Sequence, residues 1–262
     1  MSRAGRIAAA LAALALVAGC GSTAEPRSGA AGPTAGSSIT GTVTVFAAAS
    51  LTESFKTLAD GFEAAHPGAR VKLNFGASSA LALQITQGAP ADVFASASAG
   101  NMSQLIAAEA ATGSRAFAHN VLQIAVPPAN PAGVTGVADL ARQGVLVALC
   151  QSQVPCGAAA EKVFDKAGIT VRPVTLEQDV KSVLIKVETG EVDAGVVYLT
   201  DVRAAGAKVR GIAIPDELNA STEYPIAVLR AARNPAAAQA FTDYVLSGAG
   251  QDVLAAAGFA KP

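Results

Sequence analysis

Short runs of β-branched and apolar residues alternate with longer stretches of helical periodicity from Thr42 onward. The pattern predicts strands at Thr42–Ala47, Arg70–Leu73, Asp92–Ser96, Val121–Val126, Val145–Leu149, Ala194–Tyr198 and Val209–Ile214. Helices are predicted at Leu51–Ala65, Ser79–Gln87, Asn101–Glu109, Gly157–Ala167, Val180–Thr189 and Pro235–Leu246. In the first of these, Phe55, Leu58, Ala59 and Phe62 recur at the spacing that aligns them on one face of a helix. Strands alternating with helices over this length predict an α/β fold of mostly parallel sheets with helices on both faces. No repeat period characteristic of solenoids is present.

The N-terminus breaks this pattern. Arg3 and Arg6 precede an apolar run from Ile7 to Val17, followed by Ala18-Gly19-Cys20. A basic start, a short apolar stretch and small residues before a cut describe a secretory signal. The run is too short for a transmembrane anchor, since a spanning helix needs roughly 20 apolar residues. Leu16-Val17-Ala18-Gly19-Cys20 resembles a bacterial lipobox, which implies a mature protein lipidated at Cys20. Gly21 to Ser38 is rich in Gly, Ser, Ala, Thr and Pro, a composition suited to a flexible tether. Residues 1–19 are thus read as leader and 20–40 as tether.

Composition then narrows the function classes. Of 262 residues, 51% are hydrophobic and 15% charged, enough apolar content for one large domain or two small lobes with real cores. Net charge is −1, so no basic field suggests nucleic acid. The absence of tryptophan and the three tyrosines leave few platforms for stacking sugars. With Cys20 assigned to lipid, Cys150 and Cys156 leave two readings, a local disulfide in an oxidising compartment or two buried thiols.

Several predicted helices begin in ways suited to holding an anion. Ala48-Ala49-Ser50-Leu51-Thr52-Glu53 follows the first strand, with Ser50 and Glu53 at capping-box spacing. Phe75-Gly76-Ala77-Ser78-Ser79-Ala80-Leu81, Val154-Pro155-Cys156-Gly157-Ala158 and Glu177-Gln178-Asp179-Val180 lead into three more, with Asp179 a candidate N-cap. Each start offers backbone N–H groups without intrahelical partners at the positive end of a helix dipole. Such groups bind an anion without help from lysine or arginine. Any one of them alone equally fits an ordinary solvated cap, and spacing does not reveal whether they converge.

These runs, taken together, resemble periplasmic molybdate-binding proteins of ABC transporters. Val43-Thr44-Val45-Phe46-Ala47-Ala48-Ala49-Ser50-Leu51-Thr52 is similar to that family's opening, and Phe75 to Leu81 and Gly88-Ala89-Pro90-Ala91-Asp92-Val93-Phe94-Ala95-Ser96-Ala97 to its next signatures. Val154 to Gly157, Gln178-Asp179-Val180, Gly195-Val196-Val197-Tyr198 and Glu223-Tyr224-Pro225-Ile226-Ala227-Val228 continue the likeness in order, to about Phe259.

The resemblance implies a two-lobed periplasmic-binding-protein fold of type II. Residues 41–121 and 227–262 would form one lobe and 122–226 the other, with the ligand cleft between them. It implies a tetrahedral oxyanion, molybdate or tungstate, held by neutral groups only. Ser50 and Ser78 would each give a hydroxyl and a backbone N–H, Cys156 and Val180 backbone N–H groups, and Tyr198 its phenol. Fixed dipoles reward only oxygens that reach them, so cavity size would exclude sulfate and scarcely separate molybdate from tungstate. Cys156 departs from the small apolar residue expected at its position. The implied partners are an ABC permease and ATPase, and the membrane through the N-terminal lipid. The implied protein is a monomer with no cofactor, its metal held as an oxyanion and not as a coordinated cation.

Two other readings follow from the same residues. One keeps the architecture with another anion such as sulfate, thiosulfate or phosphate. The other is a secreted hydrolase using Ser50 or Ser78. It lacks a Gly-x-Ser-x-Gly elbow, and His66 and His119, the two imidazoles, both read as surface residues.

Overall fold

The computed structural model describes residues 38–262. The predicted signal peptide, the lipidation position Cys20 and nearly all of the tether lie outside them. The first sheet begins with β1 (Gly41–Ala48), whose inward side chains Val43, Val45 and Ala47 are fully buried. α1 (Thr52–Ala65) follows and buries Phe55, Leu58, Ala59 and Phe62, the face read from periodicity. β2 (Ala69–Gly76), α2 (Ser78–Thr86), β3 (Val93–Ala95), α3 (Ala99–Ala107) and β4 (Arg115–Asn120) complete the first pass.

The chain then enters a second sheet with β5 (Leu122–Val126), β6 (Val147–Cys150), α4 (Pro155–Ala167), β7 (Thr175–Glu177), α5 (Val180–Glu188), β8 (Ala194–Tyr198), α6 (Leu199–Ala205) and β9 (Arg210–Ala213). It returns with β10 (Thr222–Val228) and closes with α7 (Pro235–Leu246) and α8 (Gly248–Ala257). The strand orders are β2-β1-β3-β10-β4 and β7-β6-β8-β5-β9. Residues 222–226, expected in the second lobe, therefore pair in the first sheet.

Both sheets are mixed, with more antiparallel pairing than alternation alone predicts. β1 pairs parallel with β2 and β3, and β6 parallel with β7 and β8, whereas β10 and β5 run antiparallel to both of their neighbours. The cause is the crossing itself. β1, β2 and β3 run toward the second sheet, and a strand arriving from that sheet must run away from it. β10 and β5 are the two arriving strands. Phe55, Phe62, Phe117 and Phe241 meet at tilted or edge-on angles in the core beneath the first sheet. Val-, Ala- and Leu-rich packing fills the second.

Candidate functional site

The carboxyl ends of the parallel strands of both sheets face one cavity. Ala48, Ala49 and Ser50 follow β1, Gly76, Ala77 and Ser78 close β2 and open α2, and Ala97 follows β3. From the other sheet come Val154, Pro155 and Cys156 after β6, Asp179 and Val180 after β7, and Tyr198 at the end of β8. Open α/β sheets place ligands beyond the carboxyl ends of their strands. The cavity is small, on the scale of a guest of a few atoms. All five residues singled out in the sequence, Ser50, Ser78, Cys156, Val180 and Tyr198, line it.

Each helix start contributes differently. The capping box expected at Ser50 and Glu53 does not form. Residues 49–51 make a turn of 3-10 helix, α1 starts at Thr52, and its N-cap Leu51 has no side-chain cap. Ser50 Oγ instead lies 2.9 Å from Tyr224 Oη, a partner 174 positions away. Ser78 is the first residue of α2, and its Oγ accepts the Ala97 N–H at 2.9 Å. With that lone pair engaged, the Ser78 O–H proton is free for the cavity. Asp179 caps α5 as predicted, its Oδ1 accepting the Ser182 N–H at 2.9 Å. Val180 is then the first helical residue, and its N–H has no acceptor within the helix.

Cys156 is the second residue of α4, behind Pro155, and its N–H is likewise free of the helical ladder. Its sulfur is bonded to Cys150, the last residue of β6. Gly157 is required beside it, because a Cβ there would stand 2.1 Å from the Gln151 carbonyl oxygen and 2.7 Å from that of Cys150. Disulfide and glycine together hold the start of α4 against the strand it follows.

Tyr198 carries the most telling feature. The residue is 1% exposed, and its Oη makes no hydrogen bond of full geometry within the protein, its polar neighbours being the side chains of Thr222 and Tyr224. Burial, and then the nearby Asp201 carboxylate, push its phenol well above the ordinary tyrosine range, so it retains its proton. An unpaired buried hydroxyl costs about 1–3 kcal/mol, a cost removed by a guest that accepts its proton. Asp201 is fully buried, accepts the Tyr198 N–H at 3.1 Å, and lies 3.0 Å from Lys181 Nζ. The lysine balances its charge behind the cavity wall.

Sequence reasoning assigned no role to Tyr224 or Lys181. Tyr224 stood within a family-like run, but nothing local marks it as a partner of Ser50. Neither serine is hydrogen-bonded to a base. His119 lies in β4, and His66 caps α1 and packs on Phe62 at 4.6 Å between ring centroids.

The profile of the family described as bacterial extracellular solute-binding protein matches residues 43–260. The molybdate-binding protein ModA of Mycobacterium tuberculosis (strain ATCC 25618 / H37Rv) is 42% identical over 251 residues, covering 94% of this chain and 95% of that protein. A putative ABC transporter substrate-binding lipoprotein of Bacillus subtilis, YvgL, is 31% identical, covering 96% and 95%. Among solved structures, the periplasmic molybdate-binding protein of Azotobacter vinelandii superposes with a TM-score of 0.74 at 21% identity, over 84% of this chain and 99% of that one. That last likeness concerns the fold.

Proposed function

Because this chain belongs to the bacterial extracellular solute-binding proteins, in the family of the molybdate-binding protein ModA, we propose that it binds molybdate or tungstate outside the cytoplasm and delivers it to an ABC importer. The observation that carries this reading is one small cavity lined together by helix starts, by Ser50 and Ser78, and by Tyr198, whose buried hydroxyl makes no hydrogen bond of full geometry within the protein. A tetrahedral dianion accepts protons from all of these at once. Hydrogen bonds to a charged acceptor contribute roughly 1.5–3 kcal/mol each. No lysine or arginine lines the cavity, so no long-range field favours anions indiscriminately. Discrimination rests on reach, and a sulfate is too small to meet every donor.

The two sheets with their helices are read as lobes that close over the anion by a hinge at the crossings, a motion general to such receptors. Among the described residues no helix is long and apolar enough to cross a membrane. Attachment to the membrane would come from lipid on Cys20, within the lipobox-like run Leu16 to Cys20, with the permease and ATPase as protein partners. Replacing Cys20 with serine would shift the protein from the membrane fraction to the soluble one.

Thermal denaturation with added oxyanions tests the central claim. A ligand at 100 times its dissociation constant stabilises by about 2.7 kcal/mol. Molybdate and tungstate should each raise the melting temperature, and sulfate should compete only in large excess. A midpoint unmoved by millimolar molybdate refutes the reading, and sulfate competing at equal concentration replaces molybdate with the smaller anion.

A further inference from the structure

We infer that Tyr224, held by Asn120, is a positioning residue that turns the Ser50 hydroxyl into an obligate donor toward the bound anion. The inference rests on the oxyanion-binding reading and extends it to a residue outside the cavity lining.

The argument follows protons along a buried chain. Asn120 is 2% exposed and ends β4, where the chain leaves the first sheet. Its Oδ1 accepts the Val121 N–H at 3.0 Å, which fixes which end of the amide is oxygen. Its Nδ2 is therefore the donor, to Thr200 Oγ1 at 2.9 Å and to Tyr224 Oη at 3.4 Å. Tyr224 Oη thus already accepts a proton, and its own O–H needs an acceptor. Ser50 Oγ, at 2.9 Å, supplies it. The opposite orientation, Ser50 donating to Tyr224, would turn the tyrosine proton toward the neighbouring Tyr198 phenol. It would spend the serine proton inside the protein and leave a bound anion one donor, Tyr198, in place of two, so an anion in the cavity selects the orientation in which Tyr224 donates to Ser50.

With Tyr224 donating, the Ser50 proton has one remaining direction, the cavity. Burial, and then neighbouring Tyr198, hold the Tyr224 phenol well above its ordinary range, so it stays protonated as the chain requires. Its ring is fixed edge-on against Phe117, Tyr198 and Phe259. Ser78 reaches the same condition by a shorter route, since the Ala97 N–H occupies its oxygen. Both serines therefore face the anion as donors only, one primed by the backbone and one by this side-chain relay. A site so primed rejects a guest that must itself donate a proton there, which favours a fully ionised oxyanion.

A double-mutant cycle read by titration calorimetry with molybdate tests this. Tyr224→Phe preserves the ring and removes the oxygen. It should raise the dissociation constant about tenfold, as expected when the single hydrogen bond that orients the Ser50 donor is lost. The same loss should appear in a Ser78→Ala background, whereas in a Ser50→Ala background Tyr224→Phe should change affinity less than about twofold. A tyrosine that merely supports the fold would cost the same in every background. Asn120→Ala provides an independent entry to the cycle if Tyr224→Phe does not fold, and it too should lose its effect once Ser50 is alanine. Wild-type protein that ignores molybdate overturns the functional reading together with this inference. Wild-type protein that binds, with Tyr224→Phe unchanged or equally damaging without the Ser50 hydroxyl, overturns the relay alone.

Discussion

Lys181 Nζ lies 2.8 Å from Glu53 Oε2, joining α5 of the second sheet to α1 of the first immediately beside the cavity. The two residues follow closely on Val180 and Ser50, which line opposite walls. This ion pair exists only while those walls are together, so it favours the closed arrangement whether or not a ligand is present. Glu53 is half exposed, which limits the pair to the roughly 0.2–1 kcal/mol of a solvated bridge. Glu53→Gln should accordingly speed molybdate release a fewfold at low ionic strength. Stopped-flow dissociation should show the difference fading toward 1 M salt, where the Debye length falls to about 3 Å. Equal rates at low salt would remove the pair from the closing motion.

Lys181 has a second duty toward Asp201. Burial opposes its charge, yet Asp201 and Glu53 outweigh burial and raise its pKa above the ordinary 10.5. A lysine raised on folding contributes stability that is fully present below the unfolded value and is lost as pH climbs through the folded one. Lys181→Met leaves Asp201 buried without its cation. The expected loss at neutral pH is about 2–3 kcal/mol, discounted from the 3–5 of a fully buried pair because Lys181 is one-fifth exposed. Burial holds the Asp201 carboxyl above its ordinary range, and more so without Lys181, so the gap between wild type and variant in denaturant melts should widen as pH rises from about 4 through that raised value and narrow again only above the ordinary lysine value. A gap already at its full size near pH 4, where Asp201 is neutral, contradicts this assignment.

Tyr198→Phe should move stability and affinity in opposite directions. Without ligand the buried hydroxyl makes no hydrogen bond of full geometry, so its removal should leave the melting temperature unchanged or raise it. With molybdate the variant lacks one donor and should bind about 1–3 kcal/mol more weakly. Calorimetry and ligand-free melting on the same preparation check both. A variant that binds normally places the Tyr198 hydroxyl outside the contact, and one that melts much earlier gives it a structural partner.

How far the sequence reveals this arrangement depends on the range of each interaction. β8 (Ala194–Tyr198) and α7 (Pro235–Leu246) match their predicted bounds, because buried runs and a Pro-led start are local signals. β4 (Arg115–Asn120) escaped because its six residues, Arg-Ala-Phe-Ala-His-Asn, lack a β-branched run and pair with a strand far along the chain. α8 (Gly248–Ala257) escaped because glycine and alanine blur any apolar stripe. The site divides in the same way. Asp179 was legible as a cap since its partner is three residues on. Ser50 looked like a cap, but its partner is Tyr224, which only tertiary structure brings near. Gathering the five lining residues is the work of topology, which turns the carboxyl ends of both sheets toward each other. Family resemblance carried that information, and spacing did not.

The Cys150–Cys156 disulfide ties the last residue of β6 to the second residue of α4, so its effect should reach the cavity through the Cys156 backbone. Closing so short a loop limits the unfolded chain by about 2 kcal/mol. Replacing both cysteines with serine should therefore lower stability by about that amount. The binding consequence is separable. The Cys156 N–H is held in place by the bond on one side and by the close approach of Gly157 to the Gln151 carbonyl on the other. Losing one of two restraints should weaken molybdate by a fewfold, without abolishing binding. The wild-type protein treated with reductant should reproduce the double variant in both measurements, since the covalent bond is the element lost in each. Should the variant lose stability yet bind as tightly as wild type, the packing at Gly157 alone suffices to fix the start of α4, and the disulfide serves the fold without serving the site.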